Sequence, residues 1–158
     1  MAEAPHIMIV EARYYAHIAD ELAKGAISAL DAAGASYERF AVPGAFEIPA
    51  AIRFALDSRG EGARGKEARR RFDGYVALGC VIRGETTHYD YVCAESARGL
   101  QSLALQYGAA IGFGILTVEN EAQALARARV DRKNKGGEAA RACLAMIELR
   151  QQFGLHHS

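Results

Sequence analysis

The chain has 158 residues, and its 19 Lys and Arg balance 19 Asp and Glu, so no overall field draws it to nucleic acid or to an anionic membrane. This length predicts one domain with its own core, and the longest apolar stretches are strand-sized, too short to cross a membrane. The three cysteines lie far apart, which argues against a disulfide framework, and the chain starts without an apolar signal region, so we predict a soluble, cytoplasmic protein.

The first half of the chain predicts two strand–helix units. Residues 6–10 predict a short apolar strand. Apolar residues then recur at helical spacing, which predicts a helix that ends near Gly34; they are Ile18, Leu22, Ala26 and Leu30. Residues 37–42 predict a second strand. Pro43-Gly44 turns the chain into a second helix, whose apolar stripe is Ile48, Ile52, Ala55 and Leu56.

The second half predicts two more strands, at 75–82 and 110–117, and three more helices. The helix after the third strand runs through Cys93, Ala97, Leu100, Ala104 and Tyr107 and ends at Gly108. Asn120 caps a short helix in capping-box register with Gln123, and residue 134 or 135 begins a long final helix. This alternation predicts a three-layer α-β-α sandwich around a four-stranded parallel sheet.

One stretch, residues 57–71, departs from this pattern because it lacks large apolar residues and carries six basic side chains. We interpret it as a solvated loop within a single domain spanning residues 1–158, because no aromatic residues interleave with the charges as in an RNA-binding surface. Residues 154–158 are predicted to be a flexible tail. The adjacent His156 and His157 make a poor metal site without further ligands.

Ligands of open parallel sheets bind outside the carboxyl ends of the strands, and candidate residues follow each predicted strand. Tyr14 and Tyr15 follow the first; they suit either the core or stacking on a planar heterocycle. Glu47 follows the second, where it can stabilise a helix dipole or accept hydrogen bonds from the N–H groups of a ring.

The turn after the third strand is the most informative segment. Gly84 and the start of a helix can free backbone N–H groups for a phosphate, with the Thr86 hydroxyl nearby, and His88 could move protons near neutral pH. The alternative is that Thr86 or Thr87 caps the helix and His88 is a surface residue. Arg127 and Lys135 flank a connection rich in arginine and lysine. This connection is either a solvated loop between two helices or a segment that binds phosphate.

Four motifs carry a resemblance to a known family: VPGAFEIP at 42–49, GCVIRGETTHYDYV at 79–92, GFGILTVEN at 112–120 and NKGGEAA at 134–140. In order and at compatible spacing, they resemble the lumazine synthases of riboflavin biosynthesis over essentially the whole chain. The resemblance implies a flavodoxin-like fold and a transferase that condenses 5-amino-6-(D-ribitylamino)uracil with 3,4-dihydroxy-2-butanone 4-phosphate. It implies no metal or organic cofactor.

The resemblance also assigns roles by motif position. Tyr14 would stack on the pyrimidine, and the uracil and ribityl site would be lined by Ala45, Phe46, Glu47, Cys80, Val81 and Ile82. Phosphate would be held by Glu85, Thr86 and Arg127, with the backbone N–H of Glu85 pointing inward. His88 would transfer protons, Phe113 would cover the ring from a neighbouring subunit, and Lys135 would lie close by.

Two features depart from the family pattern or bear on assembly. Tyr14 stands where the family often has phenylalanine or tryptophan, so stacking survives but a hydroxyl needs water or a partner. The resemblance implies a homopentamer with shared active sites and riboflavin synthase as a further partner. Some members build shells of twelve pentamers with a glycine-containing kink before the last helix; residues 129–134 hold no glycine, so we predict an isolated pentamer.

Two other functions fit parts of the sequence. A protein that holds a flavin or lumazine without turnover is disfavoured because it needs neither a phosphate-binding arginine nor His88. A flavodoxin-like flavin carrier is disfavoured because EARYY follows the first strand, where such carriers have a Ser/Thr/Gly-rich phosphate loop.

Overall fold

The computed structural model describes residues 3–59 and 69–155. Its strands are β1 (His6–Ala12), β2 (Ser36–Val42), β3 (Gly74–Ile82) and β4 (Ile111–Val118). Its helices are α1 (Ala16–Ala32), α2 (Ile48–Asp57), α3 (His88–Tyr107), α4 (Glu121–Ala128) and α5 (Lys135–Gln152), and a single 3₁₀ turn, Ala45–Glu47, precedes α2. Each predicted strand and helix is present, with ends that differ by one or two residues.

The four strands form one parallel sheet in the order β2-β1-β3-β4. Successive side chains of a strand point to opposite faces, so each strand contributes to two cores. Ile7 and Ile9 pack with α1, α4 and α5, whereas Met8 and Val10 pack with α2 and α3. The result is the predicted three-layer, flavodoxin-like sandwich, with apolar residues covered on both faces of the sheet.

The last helix packs closely against α1. A β-carbon on Gly136 would lie 2.0 Å from the backbone oxygen of Leu22, a separation that no side chain can occupy. Gly112 is comparable on β4, where a β-carbon would lie 1.9 Å from the backbone oxygen of Ala139. Glycine at these two positions therefore lets α5 approach both α1 and the sheet.

The connection between α4 and α5 corrects one step of the sequence analysis. Asn134 precedes α5 with φ 47° and ψ 53°, in the left-handed region, and its side chain accepts a hydrogen bond from Gly137 N at 3.3 Å. Asparagine tolerates this region better than most residues because its short side chain bonds locally. The absence of glycine from 129–134 therefore does not remove positive φ from the connection, and that reason for an isolated pentamer is wrong. The particle size stays a prediction.

Helix α3 buries a face that only partly matches the predicted stripe, of which Leu100 is buried and Tyr107 packs against the core. Its buried residues are Val92, Ser96, Leu100 and Leu103, and Ala97 of the predicted stripe is exposed. Small and apolar residues occur on more than one side of this helix, so its sequence fits several faces. Ala97 and Ala104 instead line a shallow groove beside β4.

The basic segment is anchored at both of its described ends. Arg59 and Arg70 form an isolated antiparallel bridge, and Arg70 Nη1 donates to Tyr107 O at 3.0 Å. Arg70 is half-buried, which lowers its pKa, so the predicted solvated loop does not extend to this residue. Residues 60–68 of the segment, and His156 and His157, lie outside the described residues. Within the described ranges no helix is long and apolar enough to cross a membrane.

Candidate active site

A cavity of about 600 Å³ opens at the carboxyl ends of β1 and β3. These neighbouring strands mark the point where the sheet order reverses, since the chain runs from β1 to β2 on one side and from β3 to β4 on the other. Open parallel sheets bind ligands at this switch point. The volume is ordinary for a small-molecule site.

Eight of the residues predicted for the site meet at this cavity. They come from three segments far apart in the chain: Tyr14, Ala45, Phe46, Glu47, Cys80, Val81, Ile82 and His88. Tyr15, which the sequence analysis considered together with Tyr14 without assigning it a role, also lines the cavity. Four further lining residues were given no site role: Pro43, Gly44, Tyr91 and Val92. Tyr91 could have been found, because it lies three residues after His88 on α3 and therefore on the same face of the helix.

The two tyrosines after β1 play different structural parts. Tyr14 is 79% exposed, so the possibility that it belongs to the core is wrong. Tyr15 is half-buried against the core formed with α1, and burial raises its pKa. Their rings meet edge to face with centroids 4.9 Å apart, which leaves the Tyr14 ring open toward the cavity. This geometry suits stacking on a planar ligand.

The turn after β2 supplies one wall. Gly44 is extended, the 3₁₀ turn follows, and Ala45 is buried beneath the exposed Phe46. Glu47 lies at the start of α2 without a side-chain capping hydrogen bond, and it is exposed within the cavity lining. Its carboxylate is therefore placed to accept hydrogen bonds from a ligand as well as to act on the helix dipole.

The third wall is the end of β3. Burial raises the pKa of Cys80 to about 11, so its thiol is protonated near neutral pH and is a poor nucleophile. Across residues 3–59 and 69–155, no group of three or more His, Cys, Asp or Glu side chains is arranged to hold a metal ion.

His88 connects the cavity to the turn that precedes α3. It is the first residue of α3, it is exposed, and its backbone N–H donates to Thr86 Oγ1 at 3.3 Å. Thr86 therefore bonds the start of the helix, as one alternative proposed, whereas Thr87 makes no capping bond. Glu85 and Thr86 are exposed just outside the cavity lining, and His88 lies in it.

Contacts of Arg83 stabilise the start of the turn between β3 and α3. Its backbone N–H donates to Val118 O at 2.9 Å, its Nε lies 3.0 Å from a Glu119 carboxylate oxygen, and its guanidinium lies 4.4 Å from the centre of the Tyr89 ring. The guanidinium of Arg83, the arginine nearest to the turn in sequence, is therefore engaged by Glu119 and Tyr89. Among the described residues, the cavity lining contains neither arginine nor lysine.

The remaining three predicted residues do not reach this cavity in the same chain. Arg127 lies in the last turn of α4, where Nη1 donates to Gln123 O at 3.1 Å. Lys135 begins α5, with Nζ 3.0 Å from a Glu138 carboxylate oxygen. Phe113 is 50% exposed on β4 and lines the separate groove of about 280 Å³ beside α3.

Comparison with known proteins gives a consistent result. The family model described as 6,7-dimethyl-8-ribityllumazine synthase matches residues 4–151. A protein of that name from Sphingopyxis alaskensis is 59% identical over 150 residues, which cover 95% of this chain and 98% of the relative. The 6,7-dimethyl-8-ribityllumazine synthase of Bartonella tribocorum is 54% identical, over 98% of this chain and 95% of the relative. In Rhizobium meliloti, 6,7-dimethyl-8-ribityllumazine synthase 1 is 59% identical, over 94% of each chain.

Proposed function

The chain belongs to the 6,7-dimethyl-8-ribityllumazine synthase family, and we propose that it is a transferase that makes this product in the penultimate step of riboflavin biosynthesis. It condenses 5-amino-6-(D-ribitylamino)uracil with 3,4-dihydroxy-2-butanone 4-phosphate. The amine attacks the ketone and water leaves to give an imine, and phosphate is then eliminated to give an enol. The enol tautomerises to a ketone, and the second nitrogen attacks that carbonyl with loss of another water. The substrates together supply all atoms of the lumazine, inorganic phosphate and two waters.

The cavity at the ends of β1 and β3 would take the pyrimidine. Tyr14 would stack on the ring from its exposed face, and the Glu47 carboxylate would accept hydrogen bonds from ring N–H groups. Residues 80–82 and the turn 43–46 would enclose the ring and the ribityl chain. Holding both substrates in register supplies much of the rate, because bound reactants then behave as if at very high local concentration.

His88 would move protons during imine formation and elimination. It lies in the cavity lining, one position after the turn that would hold phosphate, so it can serve both the amine and the leaving group. The Thr86 hydroxyl and the backbone of Glu85 would bind phosphate oxygens at the start of α3. Cation partners would assist the departure of phosphate as well as its binding.

We also propose that the site is completed by a second subunit. Within residues 3–59 and 69–155 of a single chain, the lining contains no arginine or lysine to bind the phosphate, and Phe113, Arg127 and Lys135 lie away from it. A neighbour in a closed head-to-tail ring could bring all three to the open cavity. The family resemblance implies that this ring has five subunits, so we expect a homopentamer in which Arg127 binds phosphate and Phe113 covers the ring across each subunit contact.

The proposed reaction requires no metal or organic cofactor, since imine formation and phosphate elimination need only proton transfer and charge stabilisation. We propose that the enzyme acts in the cytoplasm on small-molecule substrates. Riboflavin synthase, which would consume the product, is a proposed further partner.

The observation that supports this function most is the meeting of residues 14, 45–47, 80–82 and 88 at one cavity. The test is to mix the purified protein with both substrates and to follow the absorbance and fluorescence of the lumazine and the release of phosphate in parallel. Equal amounts of the two products are expected. Tight binding of the lumazine without turnover would instead support the non-catalytic binding protein.

A further inference from the structure

Glu11 is a buried carboxylate at the end of the strand that leads to Tyr14. It is 3% exposed, although it lies near the end of β1 only three residues before the exposed Tyr14 ring. A buried carboxylate is costly unless charged partners and hydrogen bonds satisfy it. Its partners therefore indicate what this charge does for the fold or the site.

Two arginines satisfy Glu11. Arg39, on the neighbouring strand β2, makes a two-pronged contact, with Nε 2.7 Å from Oε2 and Nη2 2.9 Å from Oε1. This hydrogen bonding raises the pKa of Arg39. Arg13 Nη1 donates to Glu11 Oε1 at 2.7 Å, and the other end of the Arg13 guanidinium bonds Asp20 on α1. Arg13 thus ties the end of β1 to the first turns of α1.

This bridge spans the turn that carries Tyr14. Tyr15 holds the later side of this turn, because its ring is half-buried against the core and its backbone oxygen accepts a hydrogen bond from Ala19 N at 2.9 Å. The Tyr14 ring, by contrast, is exposed and meets the Tyr15 ring edge to face. The conformation of the backbone on either side therefore determines where the ring lies. We propose that Glu11 is a positioning residue that, through Arg13, holds the Tyr14 ring in place for the pyrimidine. The kinetic part of this proposal rests on the proposed function.

A purely structural role makes a different prediction. If Glu11 only helped the strands to pair, its loss would lower the free energy of unfolding and leave the mobility of Tyr14 unchanged. If Glu11 positions Tyr14, its loss increases the mobility of the ring and weakens the binding of only one of the two substrates. The KM of the ribitylaminouracil should increase roughly fivefold, while the KM of the butanone phosphate and kcat stay within about twofold.

The chain has no tryptophan, so Tyr14→Trp introduces a single fluorescent reporter at the position of interest. Time-resolved anisotropy of this variant measures local rotation of the ring. In that background we would add Glu11→Gln, which removes the charge with little change of shape, or Asp20→Asn, which releases the exposed end of the bridge. Asp57→Asn is the matched control, because it removes the exposed ion pair with Arg53 far along the chain from the turn.

We expect the local rotational freedom of the tryptophan to at least double with Glu11→Gln and with Asp20→Asn, and to stay unchanged with Asp57→Asn. Asp20 is exposed, so its variant keeps the test decisive if Glu11→Gln does not fold. Unchanged anisotropy in Asp20→Asn overturns the proposal, as does an equal increase in the control. Kinetics are measured with Tyr14 present, and looser anisotropy without a rise in the pyrimidine KM also overturns it. An inactive parent enzyme would refute the proposed function while the anisotropy still decides whether the bridge holds the turn.

Discussion

Mixing two impaired variants tests whether each site draws on two subunits. His88 lines the cavity of its own chain, whereas Arg127 lies on α4 outside that cavity. If Arg127 serves the neighbour, then a His88→Ala chain beside an Arg127→Ala chain can form one site with both residues intact. If both residues act within one chain, every site in the mixture carries a defect.

The size of the recovery follows from counting chains. In a ring assembled at random from equal amounts, a site has an intact His88 with probability one half and an intact Arg127 from the neighbour with probability one half. About one quarter of the sites are then intact, so the mixture should recover about 25% of wild-type activity per chain. Under subsaturating butanone phosphate, each variant alone should show roughly a tenth of wild-type activity or less.

The assay is lumazine formation after the two variants are unfolded together and refolded, or after they are co-expressed. Variants refolded separately and then combined provide the control, because closed rings that do not exchange chains should show no recovery. Activity of the co-refolded mixture no higher than the average of the two variants would refute the shared site.

Four further outcomes are expected. Arg127→Ala should raise the KM of the butanone phosphate at least tenfold, because a charge-assisted contact is worth about 1.5–3 kcal/mol; unchanged kinetics would make Arg127 a connection residue only. His88→Ala should lower kcat roughly 10- to 100-fold and leave binding of a product analogue nearly unchanged, and wild-type kcat across pH 6 to 8 would remove His88 from the mechanism. Gly136→Ala should cost about 1–3 kcal/mol of unfolding free energy in chemical denaturation, because its β-carbon would lie 2.0 Å from Leu22 O and force α1 and α5 apart. Light scattering should give a particle of about 85 kDa, five chains of 17.0 kDa; a sixty-chain particle would contradict the isolated pentamer.

The centre of the sheet was predictable because residues 7–10 of β1 and most of β3 are buried and read as continuous apolar runs, whereas β2 is an edge strand with polar residues and is only partly buried. The end of β1 was not, since the predicted strand stops at residue 10 and the structure continues it to Ala12. The charge of Glu11 suggested that the strand had already ended. The structure accommodates this charge within β1 because Arg39, 28 residues away in sequence, lies beside it. Local sequence does not reveal a partner at that distance.

Part of the site was predictable from the predicted parallel sheet. Motifs at the ends of parallel strands must share one edge of the sheet, so Tyr14, Glu47 and His88 could be expected to meet. The contribution of Phe113 and Arg127 cannot be read from one chain, because their proposed contacts lie across a subunit boundary. The conformation of Asn134 was missed because positive φ was sought only at glycine, although asparagine also adopts it.

The most direct test of the account is an experimentally determined structure of the protein with 6,7-dimethyl-8-ribityllumazine and inorganic phosphate bound. We predict the ring of the product against Tyr14, with its polar edge toward Glu47, in the cavity between the ends of β1 and β3. We predict the phosphate at Thr86, in contact with Arg127 of an adjacent subunit. A lumazine bound elsewhere, such as in the groove beside Phe113, would contradict the proposed site.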